Sequence, residues 1–516
     1  MDGTARLVRA LLTPEAFPER PTELELRQTH ISYLIFTPEF VYKIKKHVDF
    51  GFLDFTTLER RRFFCDEEAR LNRRLAPDTY LDVIGITERH GSPFMGGDGE
   101  PVEYAVKMRR LQEKKMLGRM LDEGEATVED IRRVAAAAAA FHLKADSTPY
   151  ISRFGSLESI RKNTEENFEQ TTAFVGKGLS AALYGRIREF TEGFISGNSP
   201  MLERRVREGF IRDCHGDMHS EHVFVEDGIQ IIDCIEFNER FRYSDVIADI
   251  AFLSMDLDFH NRHGLGRTLD SAYFEKTGDY EGRRLMDFYR CYRAYVRGKV
   301  EGFKSLEPEV DDGERDSAFL RSAYHFYLSG LYASGGFGPM LIAVAGPSGT
   351  GKSTLAAEIS KHTGFVHLSS DRIRKELAGL PMDERWPEPF GFGIYSEGFT
   401  ERTYGELIRR GARFLSEGRS VVLDATFGRR AFVLKAKQTA ERMHAQFRVV
   451  ECTALNSTIK ERLLSRQAAP GASDADWEIY IRQKAVFEEI KEAHARAKAE
   501  EPLPERSKAV FRSIFG

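Results

Sequence analysis

Residues 346–353 read Gly-Pro-Ser-Gly-Thr-Gly-Lys-Ser, and they decide the fold of the C-terminal third of the chain. GxxxxGK[ST] is met at every position, with Thr354 next. "LIAVAG" before it predicts a short buried strand, and the run from Lys352 predicts a helix. A glycine-rich turn between strand and helix aims successive backbone N–H groups at a phosphate, and the helix N-terminus adds partial positive charge. Gly346, Ser348, Gly349, Thr350, Gly351, Lys352, Ser353 and Thr354 are therefore the expected cradle for ATP or GTP. Lys352 is placed at the β/γ-phosphates and Ser353 at Mg2+.

Outward from the loop, the pattern alternates. "FVHLSS", "SVVLDATF" and "FRVVEC" predict further strands between helical stretches, hence a parallel α/β sheet. "LSSDRIRKEL" puts Asp371 just beyond a strand end and Arg374 one helical turn later on the same face. A carboxylate there can accept the proton of an incoming hydroxyl, and the arginine can hold an anionic group on the acceptor. A helix cap followed by a solvated basic helix fits the same letters. Asp424 in "VVLDATF" ends another apolar strand, where it reads as a magnesium or substrate contact or as a turn residue. Arg462 and Arg466 stand four apart before "QAAPGASDAD". That spacing suits either a lid laid over the transferring phosphoryl group or a plain surface helix.

A second stretch, "CHGDMHSEHVFVEDGIQIIDC" at 214–234, carries its own carboxylates. Asp217 reads as the group that orients or deprotonates an acceptor hydroxyl, and Asp233 as a magnesium bridge to phosphates. His215, Asp217, His219 and His222 also compose a possible transition-metal set.

The chain has 516 residues, enough for two or three domains. Glycines concentrated in "SGLYASGGFGPM" (329–340) mark the division: 1–330, with a β-rich part about 28–115 and a helical part about 116–330, and then 338–516. A net charge of -5 argues against extensive nucleic-acid binding. Basic runs such as "LERRRFF" are interleaved with acids and read as solvated helix faces. The five cysteines form no CxxC pair, which fits a reducing compartment. With no apolar run of membrane length and no signal-peptide pattern, the expectation is a cytoplasmic protein. Oligomeric state is not legible.

Residues 340–512 resemble small P-loop kinases: the gluconate-kinase-like, chloramphenicol-phosphotransferase-like, zeta-toxin-like and polynucleotide-5′-kinase-like proteins. That resemblance implies Asp371 as general base. Residues 28–330 resemble the aminoglycoside-phosphotransferase-like kinases through His215-Gly216-Asp217, Ile232-Asp233 and "SDVIADIAF". It implies a protein-kinase-like fold in which Lys43 binds nucleotide phosphates with Glu68, or Glu67, as its helix partner. "VEYAVKMRRL" would be the hinge strand. The sequence departs from that family at His222, where Asn is the usual second metal ligand, and in lacking the glycine-rich phosphate lid. Together the resemblances imply a fusion of the two kinase types. The expected activity is transfer of phosphate from ATP with Mg2+ to a small-molecule hydroxyl, sugar-like or antibiotic-like. The first domain would be a second phosphotransferase or a substrate-binding module. A nucleotide or nucleic-acid 5′-hydroxyl is the alternative acceptor, and an ATP-hydrolysing switch with a non-catalytic first domain is the alternative class.

Overall fold

The computed structural model describes residues 3–51, 53–89, 91–381, 391–466, 477–492 and 494–516. The chain forms two compact units that interleave in sequence. The first comprises Met1–Arg161, Gly197–Asp256 and Arg267–Met286; the second comprises Lys162–Ser196, Leu257–Gly266 and Asp287–Gly516.

Among its described residues the first unit is built on six antiparallel strands: β1 (Glu25–Gln28), β2 (Ser32–Phe36), β3 (Phe40–Lys45), β4 (Tyr80–Arg89), β5 (Ser92–Met95) and β6 (Glu103–Arg109). They lie in the order β1-β2-β3-β6-β4-β5. The Thr-Pro-Glu turn after β2 brings Phe36 opposite Val41. Side chains alternate along β3. Tyr42 and Ile44 face a core with Val8, Leu11 and Phe17. Val41 packs on the other face with Cys65 of the helix Leu58–Asn72. Lys43 and Lys45 share that second face. Thr57 caps this helix by accepting from the Arg60 N–H.

The helical part of this unit carries four short strands: β7 (Ile211–Asp213), β8 (Val223–Val225), β9 (Ile229–Ile231) and β10 (Tyr243–Asp245). β7 pairs with β10, and β8 with β9. The alanine run lies in the helix Val128–Lys144, where Ala135, Ala138 and Ala139 are buried, so it is a close-packed helix face.

Among the described residues the second unit holds five parallel strands: β11 (Met340–Ala345), β12 (Val366–Ser369), β13 (Val421–Asp424), β14 (Gln446–Thr453) and β15 (His494–Lys498). Their order is β12-β13-β11-β14-β15, and every residue of the central β11 is buried. β15 went unread in the sequence because only its alanines, Ala495 and Ala497, point inward between polar neighbours. The helix Leu503–Phe515 packs on the helix Asp312–Ala333, with Phe515 5.2 Å from Tyr324 and 5.1 Å from Tyr327 between ring centroids. Asn261 is fully buried at a φ of +58°. Its Nδ2 donates to the carbonyls of Gly364 and Ser420 at 3.0 Å, and its Oδ1 accepts from the Ser420 N–H at 2.6 Å. Among the described residues no helix is long and apolar enough to cross a membrane.

Candidate active sites

In the second unit, β11 feeds the phosphate loop and the helix Lys352–Thr363 leaves it. Gly346 is obligatory there. A β-carbon would lie 2.3 Å from the Cys452 carbonyl oxygen, and its φ is +139°. The loop is folded on itself. Thr350 Oγ1 donates to the Pro347 carbonyl at 2.8 Å, and Lys352 Nζ donates to the same oxygen at 2.9 Å. The Ser348 N–H donates to Gln483 Oε1 at 2.8 Å. Ser353 and Thr354 are exposed.

β13 is in register with both neighbours, so Asp424 pairs with Val344 of β11 and Ser369 of β12. Asp424 is buried, with His367 Nε2 3.4 Å from its Oδ2. Asp371, two residues beyond β12, lies half-buried in the first turn of the helix Ser370–Ala378. Arg374 follows on that helix but is buried, with Nη1 donating to the Ile394 carbonyl at 2.6 Å and Thr400 Oγ1 at 3.2 Å. Its guanidinium lies 4.9 Å from the centroid of the Tyr395 ring. Arg462 Nη2 donates to the Ala499 carbonyl at 2.7 Å. The Arg466 side chain and residues 467–476, the expected lid, lie outside the described residues.

Sequence reasoning missed Arg506. This side chain is only 4% exposed, yet its Nε and Nη1 have no hydrogen-bond partner. A β-carbon on Gly351 would meet Arg506 Nη1 at 3.1 Å and Arg462 Nη1 at 3.5 Å, so two guanidiniums converge on the loop. Burial, more than the neighbouring Arg462, lowers the Arg506 pKa from its ordinary value. No local pattern marks such a residue, because its loop partner is remote in sequence.

In the first unit, Lys43 Nζ stands 2.7 Å from Glu68 Oε1 and 2.5 Å from Asp233 Oδ1. Glu68 is thus the helix partner; Glu67 instead pairs with Arg70 at 2.7 Å. Lys45, two residues along the strand, reaches the other Glu68 oxygen at 2.8 Å and also binds Glu236. Strand alternation from Lys43 was the available signal for Lys45. Burial opposes the charge of Asp233, but Lys43 and then His222 outweigh it and hold that carboxyl far below its usual range.

The loop after β7 is fixed by Asp249, whose two oxygens accept from the N–H groups of His215 (2.6 Å) and Gly216 (2.9 Å). His215 is spent structurally. Its Nε2 donates to the Ile232 carbonyl at 3.0 Å, and its Nδ1 accepts from the Asp217 N–H at 3.2 Å. Asp245 serves a separate buried network, accepting from Arg205 at 2.6 and 2.9 Å. His222 stands between the two carboxylates of the site. Its Nδ1 is 3.6 Å from Asp217 Oδ2, and its Nε2 is 3.6 Å from Asp233 Oδ2.

A strand lysine paired to a helix glutamate, two loop carboxylates, and a separate phosphate loop on a parallel sheet define a phosphotransferase of the kinase class. Residues 65–289 match the phosphotransferase enzyme family, and residues 341–490 match an AAA domain. Over 460 residues, 88% of either chain, the sequence is 32% identical to uncharacterized protein Rv2004c of Mycobacterium tuberculosis, and the chain belongs to the same family, joining a phosphotransferase-family domain to a P-loop kinase-like domain. A 52-residue stretch is 40% identical to a uridine kinase of Chloroflexus aggregans, 10% of this chain and 25% of that one. Among solved structures, a gluconokinase from Sinorhizobium meliloti 1021 aligns with 34% of this chain and 92% of its own, at 19% identity and a TM-score of 0.26. A choline/ethanolamine kinase family protein from Mesorhizobium loti aligns with 64% and 98%, at 14% identity and a TM-score of 0.39.

Proposed function

We propose that the second unit transfers the γ-phosphoryl group of ATP to a hydroxyl of a small, sugar-like or antibiotic-like acceptor. The observation that carries this reading is the alignment of strand ends. The in-register β11, β12 and β13 bring the phosphate loop, Asp371 and Asp424 to one edge of the sheet. Open α/β sheets bind ligands at that edge.

Asp371 accepts the proton of the acceptor hydroxyl as it attacks. Ser353 and Asp424 offer oxygen donors, the kind Mg2+ prefers. With ATP bound, that cation would neutralise charge on the phosphoryl oxygens. Arriving phosphates draw Lys352 from the Pro347 carbonyl and take over the Ser348 N–H from Gln483. Arg506 and Arg462 then meet the phosphate charge, while Arg374 holds the segment at Ile394 and Thr400 beside Asp371. The net charge of -5 supports a small acceptor over a long nucleic acid. In the first unit, the Lys43–Glu68 pair with Asp217 and Asp233 supports a second phosphotransferase centre.

The test compares full-length Asp217→Ala, in which the first centre is silenced, with Asp217→Ala/Asp371→Asn for ATP turnover against sugars, aminoglycosides, nucleosides and 5′-hydroxyl oligonucleotides. Acceptor-dependent turnover lost in the double variant, with ATP binding kept, is the expected result. Turnover that survives unchanged removes Asp371 as the acceptor base and favours an ATP-hydrolysing switch.

A further inference from the structure

The phosphate loop of the second unit already holds a guest from its own chain. Gln483, on the helix Trp477–Ala485, brings Oε1 to 2.8 Å from the Ser348 nitrogen and accepts its hydrogen. An amide oxygen thus takes a backbone N–H of the kind that phosphate oxygens take in such loops. The helix that presents it is anchored. Asn456 Oδ1 accepts from the Tyr480 hydroxyl at 2.8 Å and from Lys484 Nζ at 2.9 Å. Tyr480 is buried with Ile459 and Leu463. Those two lie against the loop itself, where a β-carbon on Gly349 would come within 2.8 Å of Ile459 Cγ2 and 3.4 Å of Leu463 Cγ. Packing of the helix, more than the reach of a free side chain, carries Gln483 to Ser348.

The far end of this segment is tied as well. The Glu488 N–H donates to the Gly428 carbonyl at 2.9 Å, and Glu488 Oε2 accepts from the Arg430 N–H at 2.6 Å. Gly428 and Arg430 belong to the turn that leaves β13 just after Asp424, where Phe427 is held at a φ of +48°. That backbone is uncommon for a non-glycine residue. The Tyr404 hydroxyl fixes it by accepting from the Phe427 N–H at 2.8 Å. Residues 483–488 therefore form a strap, with one end on the phosphate loop and the other on the turn beside Asp424.

We infer that Gln483 is a built-in competitor of nucleotide at the phosphate loop, held in place through the Glu488 contacts. This role rests on the reading that the loop binds ATP, and adds how its entry is regulated. A phosphate oxygen reaches the Ser348 N–H only when the amide gives it up, so the fraction of chains with the amide released scales the apparent affinity. Losing one neutral hydrogen bond shifts such an equilibrium by about two- to tenfold. The strap thereby links the nucleotide side of the site to the Asp424 side, and whatever loosens one end favours binding at the other.

The experiment is hydrogen exchange read by mass spectrometry on the full-length chain with ATP and Mg2+, taking the ATP midpoint for protection of the peptide spanning 346–354. A local readout keeps nucleotide at the first unit out of the measurement, and exchange at β11 in the same data reports whether each variant is folded. Gln483→Leu, which deletes the competing oxygen, should lower the midpoint about two- to tenfold. Gln483→Glu, which puts a stronger and negatively charged acceptor in its place, should raise it. A residue that merely supports the fold would shift both variants the same way. Glu488→Ala should lower the midpoint in the wild-type background and leave it unmoved in Gln483→Leu, where the strap has no amide to hold. An unchanged or raised midpoint in Gln483→Leu, or equal effects of Glu488→Ala in both backgrounds, overturns the proposal while ATP binding by the loop stands. Absence of ATP protection at 346–354 in the wild type overturns the nucleotide reading, and the competitor with it.

Discussion

The guanidinium of Arg506 stands against Gly351, with Nη1 3.1 Å from the place a β-carbon there would occupy. A buried cation with two nitrogens unpaired costs stability until an anion arrives. Arg506→Met should therefore raise the melting temperature of the nucleotide-free protein while weakening ATP binding at least about tenfold, the loss of one charge-assisted hydrogen bond. Differential scanning fluorimetry with and without ATP reads both signs together. A structural arginine would instead give lower stability and unchanged affinity.

Gly346→Ala should abolish ATP binding at the phosphate loop and destabilise the second unit. The added methyl would sit 2.3 Å from the Cys452 carbonyl oxygen, which belongs to the sheet backbone and cannot swing aside. Backbone strain of this kind costs about 1–3 kcal/mol before the clash is counted. Chemical denaturation of the variant measures it; Gly398→Ala, with nothing within 4 Å of its β-carbon, is the control.

Lys45→Met should destabilise the first unit by about 3–5 kcal/mol, because Glu236 then loses its lysine while buried. The double variant Lys45→Met/Glu236→Gln should recover part of that loss. A double-mutant cycle on urea midpoints isolates the pair.

His215 is fully buried, and burial holds its pKa down at about 4. The unfolded chain binds a proton near pH 6.5, so its neutral form stabilises the fold fully above that value. The contribution, about 3 kcal/mol, is lost as pH falls from 6.5 toward 4. His215→Gln should flatten this part of the stability profile. Urea midpoints of wild type and variant at half-unit pH steps give the difference; parallel slopes would count against it.

The phosphate loop and the His-Gly-Asp loop were legible because each is a contiguous pattern whose spacing dictates geometry. Glu67 and Glu68 could not be told apart by adjacency; the helix turns Glu68 fully inward and leaves Glu67 to Arg70. Arg374 was placed on the face of Asp371, but the partner that engages it, Ile394, comes from a segment no local pattern connects to it. Lys45 was readable from period-two alternation, since it repeats the orientation of Lys43. Arg506 was not, because a buried guanidinium near the loop is a product of tertiary packing alone.

Asn261 supplies the hydrogen bonds that the chain before β13 would otherwise seek in water. It comes from the stretch that resembles the other kinase type, as do Tyr324 and Tyr327, which cover Phe515. A P-loop piece released by recombination at residue 338 would carry an open seam at Gly364 and Ser420 and a bare aromatic face. The glycine-rich stretch is therefore a join in the sequence and not in the architecture: a cut there would part the sheet from pieces of its own support.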